Sequence, residues 1–309
     1  MSLLAWIKGR GGANGFGYAS TAEEVTAGLD LSGKTVVITG VNSGLGQESA
    51  RVLALRGARV VGLARTEGKA EDACHALGHG AIPVACELSE PSSVRAAVEK
   101  LRALEGSLDV LLCNAGIMAL PQRELIHGQE KQFFTNHVGH FMLVTGLIDR
   151  LADDGRVVML SSGAHAWAPE GGIQLDDLSF ASGYRPNRAY GQSKLANLLF
   201  ARSLDRRFAE DESHQRTAYA VHPGVIATNL SRHMSPLVRL VMPVAAAVAM
   251  KSIPQGAATQ CYCAVHPDAV AHHGAYFADC NVAPSSRHAR DDGLADRLWQ
   301  ATEEIVAGL

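Results

Sequence analysis

An α/β fold, with one largely parallel sheet covered by helices on both faces, is predicted by three observations. Short, nearly continuous apolar runs alternate with amphipathic stretches along most of the chain. The first of these runs, Val36-Val37-Ile38, opens directly into a glycine turn and then a helix-forming stretch. After residue 30 no linker, repeat or charge block interrupts the alternation. Length agrees, because 309 residues with 47% hydrophobic side chains can bury the core of one large α/β domain.

Element by element, the pattern predicts strands over 34–39, 58–63, 80–85, 108–113, 155–161, 216–222 and 274–277. Helices are expected near 44–56, 67–77, 91–104, 130–151, 190–209, 254–265 and 294–307. Residues 1–30 read as an N-terminal arm, and its glycine-dense stretch 9–17, with no strand before it, reads as flexible. Ser20-Thr21-Ala22-Glu23 carries the capping signature of a short helix that leads into the core. Residues 31–309 form a single domain, a doubly wound parallel-sheet Rossmann fold, with a small substrate cap made by segments 163–188 and 229–253.

The glycine turn carries the first chemistry. Thr39-Gly40-Val41-Asn42-Ser43-Gly44-Leu45-Gly46 follows the first strand and precedes the helix. A backbone turn without side chains lets a dinucleotide pyrophosphate approach a helix N-terminus. As an isolated pattern the loop would mark only a tight turn. Far downstream, Tyr190-Gly191-Gln192-Ser193-Lys194 places a phenol and an ammonium four residues apart, on one helical face. A nucleotide loop with a proton-moving pair suggests a hydride-transfer enzyme.

At these residues the chain resembles the short-chain dehydrogenase/reductase family. Asn114-Ala115-Gly116, Asn136 within Thr135-Asn136-His137-Val138-Gly139-His140-Phe141, Ser162 at the end of Val157-Val158-Met159-Leu160-Ser161-Ser162, and Pro223-Gly224 through Thr228 follow its motifs in order. His222-Pro223-Gly224 and Gln255-Gly256-Ala257-Ala258-Thr259 resemble the retinol-dehydrogenase-like branch and the oxidoreductase domain of WW-domain-containing oxidoreductases. Trp6, Trp167 and Trp299 are too scattered for a WW domain itself.

The resemblance implies a catalytic set of Asn136, Ser162, Tyr190 and Lys194, acting on an alcohol and its ketone or aldehyde. Tyr190 would be the proton donor and acceptor, with Lys194 and the oxidised nicotinamide ring lowering its pKa and Lys194 holding the nicotinamide ribose. Ser162, rather than its neighbour Ser161, would hold the substrate oxygen. Asn136 would anchor a water or a helix kink. The implied cofactor contacts are Gly40, Gly44, Leu45 and Gly46 at the pyrophosphate, with Asn42 and Ser43 adding hydrogen bonds to a ribose 2′-phosphate. Asn114, Ala115 and Gly116 would line the adenosine side. Pro223, Gly224, Ile226 and Thr228 would lie at the carboxamide. Glu87-Leu88 stands where the family has Asp-Leu near the adenine.

The cofactor expected is NADP(H). No carboxylate stands at Ala64, where NAD-preferring relatives hold the ribose, and Arg65 next to it can grip a 2′-phosphate. Pocket walls or ordinary helix packing both explain the apolar stretch Met234, Leu237, Val238, Leu240, Val241 and Met242; its position in the resembling family implies pocket walls and hence a lipophilic or aromatic substrate. Two readings from other classes stay open: a cofactor-binding regulatory or scaffold protein with little activity, and an NADPH-dependent reductase of carbon–carbon double bonds.

Composition excludes other partners. Net charge is −3, and no basic block or interleaved aromatic stripe argues for nucleic acid. The six cysteines fall in apolar segments, which reads as reduced thiols in a cytoplasmic protein. No metal is expected, since Cys261-x-Cys263 has the wrong spacing for a zinc hook. Leu237–Ile253 is too short and too interrupted to span a membrane, and peripheral membrane contact is only a secondary reading. Phe133, Phe134, Phe141, Leu143, Leu147, Leu195, Leu198, Leu199 and Phe200 give two helices apolar surface on more than one side. In the resembling family such helices pair across a two-fold axis, so a homodimer is expected, with a monomer as the alternative.

Overall fold

The computed structural model describes residues 9, 11–78, 80–226 and 250–309. Its main sheet begins with β1 (Thr35–Thr39), β2 (Arg59–Ala64), β3 (Ile82–Ala85) and β4 (Leu108–Cys113). A separate two-stranded hairpin, β5 (Leu125–Ile126) with β6 (Gln129–Glu130), interrupts the series. The main sheet then takes up β7 (Leu151–Leu160), β8 (Thr217–His222), β9 (Tyr276–Ala278) and β10 (Asn281–Val282). The strand order is β10-β9-β8-β7-β4-β1-β2-β3, parallel throughout except for the edge pair β9–β10. Reversal of order beside β1 opens a crevice at the strand C-termini, where doubly wound sheets bind their ligands.

The helices are α1 (Ala22–Val25), α2 (Gly44–Leu55), α3 (Glu67–Leu77), α4 (Pro91–Arg102), α5 (Lys131–Phe133), α6 (Gly139–Thr145), α7 (Pro186–Ala209), α8 (Ile253–Val265) and α9 (Asp292–Ala307). One apolar core joins the sheet to α4, α5, α6, α7 and α9, and a second joins the opposite face to α1, α2 and α8. The parallel strands are buried on both faces; in β1 every residue from Thr35 to Thr39 is buried.

Several boundaries differ from the sequence expectation. The helix expected over 130–151 is α5, a π-helical turn Phe134–Val138, and α6, which stops at Thr145. Strand β7 begins at Leu151 and not at 155, because its pairing with β4 jumps from Leu108↔Leu151 to Val110↔Arg156. Residues 152–154, which the expected elements leave between a helix and a strand, therefore belong to a bulged strand. Helix α7 starts at Pro186, because proline at N1 supplies a helical φ and loses no hydrogen bond. Capping of α1 also falls one residue later than expected. The reciprocal bonds join Thr21 and Glu24, while Ser20 Oγ accepts from the Gly17 N–H.

The arm is docked over its described part. Asn14 Nδ2 donates to Cys280 O at 2.7 Å, Asn281 Nδ2 donates to Phe16 O at 2.9 Å, and Gln255 Nε2 donates to Ala19 O at 3.2 Å. Phe16 meets Tyr262 and His266 edge-on. These bonds fasten the arm to α8 and the β9–β10 edge, in place of the free linker that its glycines suggest. In the cap, the turn Gly163–Trp167 lies directly on α7, where a Cβ on Gly191 would sit 2.8 Å from Ala164 O. The expected second cap segment, with Met234 through Met242, lies outside the described residues up to position 249.

Candidate active site

The glycine turn sits at the C-terminal end of β1, as a parallel sheet requires. Gly40 has φ of +75°, a backbone conformation that a side chain would oppose. Gly46 marks the tightest approach: a Cβ there would lie 2.3 Å from Gly40 O and 2.5 Å from Asn114 Nδ2. Ser43 is the N-cap of α2 but makes no side-chain cap hydrogen bond, and Asn42 and Ser43 are both exposed. The helix therefore presents first-turn N–H groups without a side-chain acceptor, which fits a pyrophosphate.

Asn114 and Ala115 form the floor beside this loop. Their N–H groups both donate to Thr39 Oγ1 at 2.9 Å, and Asn114 Nδ2 donates to Thr39 O at 2.9 Å. Gln260 of α8 adds a contact that no sequence pattern marks, donating to Ser49 Oγ at 2.6 Å and to Leu45 O at 3.3 Å. Leu45 and Ile226 converge on α8 at Gly256, where a Cβ would meet Ile226 Cδ1 at 2.3 Å and Leu45 Cδ2 at 2.8 Å. Gly224 has φ of +88° and lies over the Lys251 stem, whose ammonium pairs with Asp279 at 2.6 Å. Pro223, Gly224 and Ile226 thus stand at the end of β8, while Thr228 lies outside the described residues.

Arg65 follows the last residue of β2 and is exposed, and Ala64 beside it is buried. Glu87 is occupied locally, since its carboxylate accepts from the Ser89 N–H and hydroxyl at 3.2 and 2.8 Å. Leu88 is buried against the helix backbone at Gly139.

The four candidate catalytic residues come together. Asn136 lies in the π-helical turn, fully buried. Its amide clasps Ile117, with Oδ1 accepting from the N–H at 2.8 Å and Nδ2 donating to the carbonyl at 2.9 Å. The same Nδ2 donates to Ser193 Oγ at 2.9 Å, and Ser193 donates to Tyr190 O at 2.8 Å. Lys194 Nζ donates to Leu160 O at 2.9 Å and lies 5.7 Å from the Tyr190 ring centre. A Cβ on Gly116 would sit 3.1 Å from Asn136 Oδ1 and 3.5 Å from Lys194 Nζ, so a side chain there would crowd both groups.

The two serines separate by partner. Ser161, 1% exposed, donates to Lys194 O at 2.7 Å and holds the helix to the strand. Ser162 Oγ accepts from the Ala164 N–H at 3.1 Å and lies beside the Tyr190 phenol, whose pKa it lowers. Burial outweighs Ser162 and pushes the Tyr190 phenol up to about 12. Burial also brings Lys194 down to about 8. The sequence expectation has Lys194 and the oxidised nicotinamide ring lower the phenol together; among the protein's own groups, burial is the largest influence on it.

A family model described as short chain dehydrogenase matches residues 34–173. The chain is 41% identical over its whole length to the Brassica napus protein "Short-chain dehydrogenase TIC 32 A, chloroplastic", of which it covers 100%. Mouse retinol dehydrogenase 12 is 40% identical, over 91% of this chain and 89% of that protein. In the solved structure of an uncharacterized protein from Mycobacterium Paratuberculosis, the match has 34% identity and a TM-score of 0.74, covering 92% of this chain and 97% of that one. Cytoplasmic localisation, inferred from the cysteines, is overturned by the full-length relatives named as chloroplastic. All six thiols are indeed free and buried, but that argues only against a disulfide framework and carries no address among reducing compartments. With its sheet order, its converging tetrad and these full-length relatives, the chain belongs to the short-chain dehydrogenase/reductase family, in the retinol-dehydrogenase-like branch.

Proposed function

We propose that this oxidoreductase interconverts a lipophilic or aromatic alcohol and its ketone or aldehyde with NADP(H). The observation that carries the reading is the convergence of Asn136, Ser162, Tyr190 and Lys194 beside the glycine loop. Relatives named retinol dehydrogenase favour an extended apolar substrate. The bound nicotinamide would supply or accept the hydride. Ser162 orients the substrate oxygen, and Tyr190 gives that oxygen its proton in reduction and takes it back in oxidation. Lys194 anchors the ribose hydroxyls and sets the local positive charge. Gly40, Gly44, Gly46 and the α2 N-terminus hold the pyrophosphate, Asn42 and Ser43 add hydrogen bonds to the 2′-phosphate, and Ile226 and Thr228 hold the carboxamide. A panel of aryl, steroid and retinoid-like carbonyls with NADPH tests this; no turnover while NADPH binds would refute it.

Arg65 is assigned to the 2′-phosphate, because the buried Ala64 offers no carboxylate for a ribose hydroxyl. Arg65→Ala weakens NADPH about 10- to 100-fold, the cost of one charge-assisted contact, and leaves NADH little changed. Titration of both cofactors checks this, and equal losses would remove Arg65 from the role.

The pH profile follows from the two shifted groups. With its pKa near 12, the phenol stays protonated across the neutral range, as reduction requires. Lys194 is charged below about 8 and neutral above it. Reduction is therefore level at neutral pH and declines above pH 8. A rate that rises through that region would contradict the assignment.

Assembly is proposed to be monomeric. All nine apolar residues that suggested a homodimer face are at most 3% exposed within one chain. Trp299 of α9 packs on Phe141 and Phe200, with ring centres 5.0 and 5.5 Å away. Light scattering at micromolar concentration should give the single-chain mass; a dimeric mass would require a different face.

A further inference from the structure

His137 and His140 lie one turn apart on the helix that carries Asn136, and both are buried. Their surroundings differ. His137 is packed among Phe133, Phe141 and Phe200, and its Nε2 meets Thr302 Oγ1 at 3.0 Å. That environment explains it as a core residue. His140 has hydrogen bonds at both ring nitrogens, and both lead into the redox site.

The proton positions on His140 follow from its partners. Nδ1 lies 2.8 Å from Asn136 O, and a carbonyl can only accept, so Nδ1 carries the hydrogen. Nε2 lies 3.0 Å from Thr39 Oγ1. That hydroxyl already accepts from the Asn114 and Ala115 N–H groups, so its own proton points to Nε2. The imidazole is thus a neutral Nδ1–H tautomer. Complete burial agrees, holding its pKa down to about 4.

These bonds form one continuous line. It starts at the strand-end floor under the nucleotide site, Asn114 and Ala115, and passes through Thr39 to His140. From the Asn136 carbonyl it continues through the Asn136 amide to Ser193 and ends at the Tyr190 carbonyl. We propose that His140 is a positioning residue of the redox site, fixing the Asn136 carbonyl in the π-helical turn through its Nδ1–H. This rests on the oxidoreductase reading above. His140 touches neither substrate nor the reacting atoms; it acts through Asn136.

Two substitutions separate the two ends of the ring. His140→Asn keeps a donor where Nδ1 stands, and His140→Gln keeps a polar group where Nε2 stands. The expected result is a fall of about 10- to 100-fold in kcat for H140Q, the effect of a displaced catalytic group, with KM for NADPH and Tm near wild type. H140N should retain most of kcat. Equal loss in both variants, or full activity in H140Q, would overturn the proposal. A neutron structure of the wild-type protein with NADP bound tests the same point without a variant. Deuterium on Nδ1 of His140 is expected, and deuterium on Nε2 with a bare Nδ1 would refute it. That map decides even where neither variant folds, and also where the wild type turns over no carbonyl, an outcome that would sink only the functional reading.

Discussion

Tyr190→Phe lowers kcat by about 10²- to 10⁴-fold, the range that a positioned general acid contributes. Tyr190 is 7% exposed, so bulk water is a poor replacement for its proton at the substrate oxygen. Phenylalanine keeps the ring against Lys194 and fills the same volume, so folding and NADPH affinity stay near wild type. Steady-state kinetics with a fluorescence titration of NADPH check this. Turnover close to wild type with cofactor bound would show that another group moves the proton.

Gly46→Ala should weaken cofactor binding by a different route. The added Cβ would lie 2.3 Å from Gly40 O and 2.5 Å from Asn114 Nδ2. Neither atom can retreat freely. Gly40 N donates to Leu63 O at 2.7 Å, and Asn114 Nδ2 is held by Thr39 O at 2.9 Å. The first turn of α2 must move away from β1, which costs about 1–3 kcal/mol as overpacking does. The displaced N–H groups no longer meet the pyrophosphate, so NADPH affinity should fall at least about tenfold. Thermal unfolding with NADPH titration measures both effects. Wild-type affinity in G46A would mean that the loop does not carry the nucleotide.

Most of this architecture was legible because it is local. Strands buried on both faces read as apolar runs, and the glycine loop and Tyr190–Lys194 pair are fixed by spacing within one element. What escaped the sequence depends on distant partners. The β7 bulge is set by register against β4, and nothing in Asp153-Asp154-Gly155 distinguishes it from a turn. The π-helical turn at Asn136 depends on contacts outside the helix, with Ile117 and Ser193. Thr39 and His140 lie 101 residues apart in sequence, and Gln260 and Ser49 lie 211 apart, so neither pair leaves a periodic trace. The arm shows the converse: its glycines suggested a free segment, and its docking depends on Asn14, Phe16 and the facing Asn281.

The central claim is that this tetrad reduces a carbonyl group. The most direct measurement is product analysis after turnover with NADPH deuterated at the transferring C4 position, using a ketone or aldehyde that also carries a conjugated carbon–carbon double bond. The account predicts deuterium on the carbinol carbon, an intact double bond, and loss of transfer in Y190F. Deuterium on an alkene carbon with the carbonyl preserved, or no transfer by wild-type protein that binds the cofactor, would contradict it.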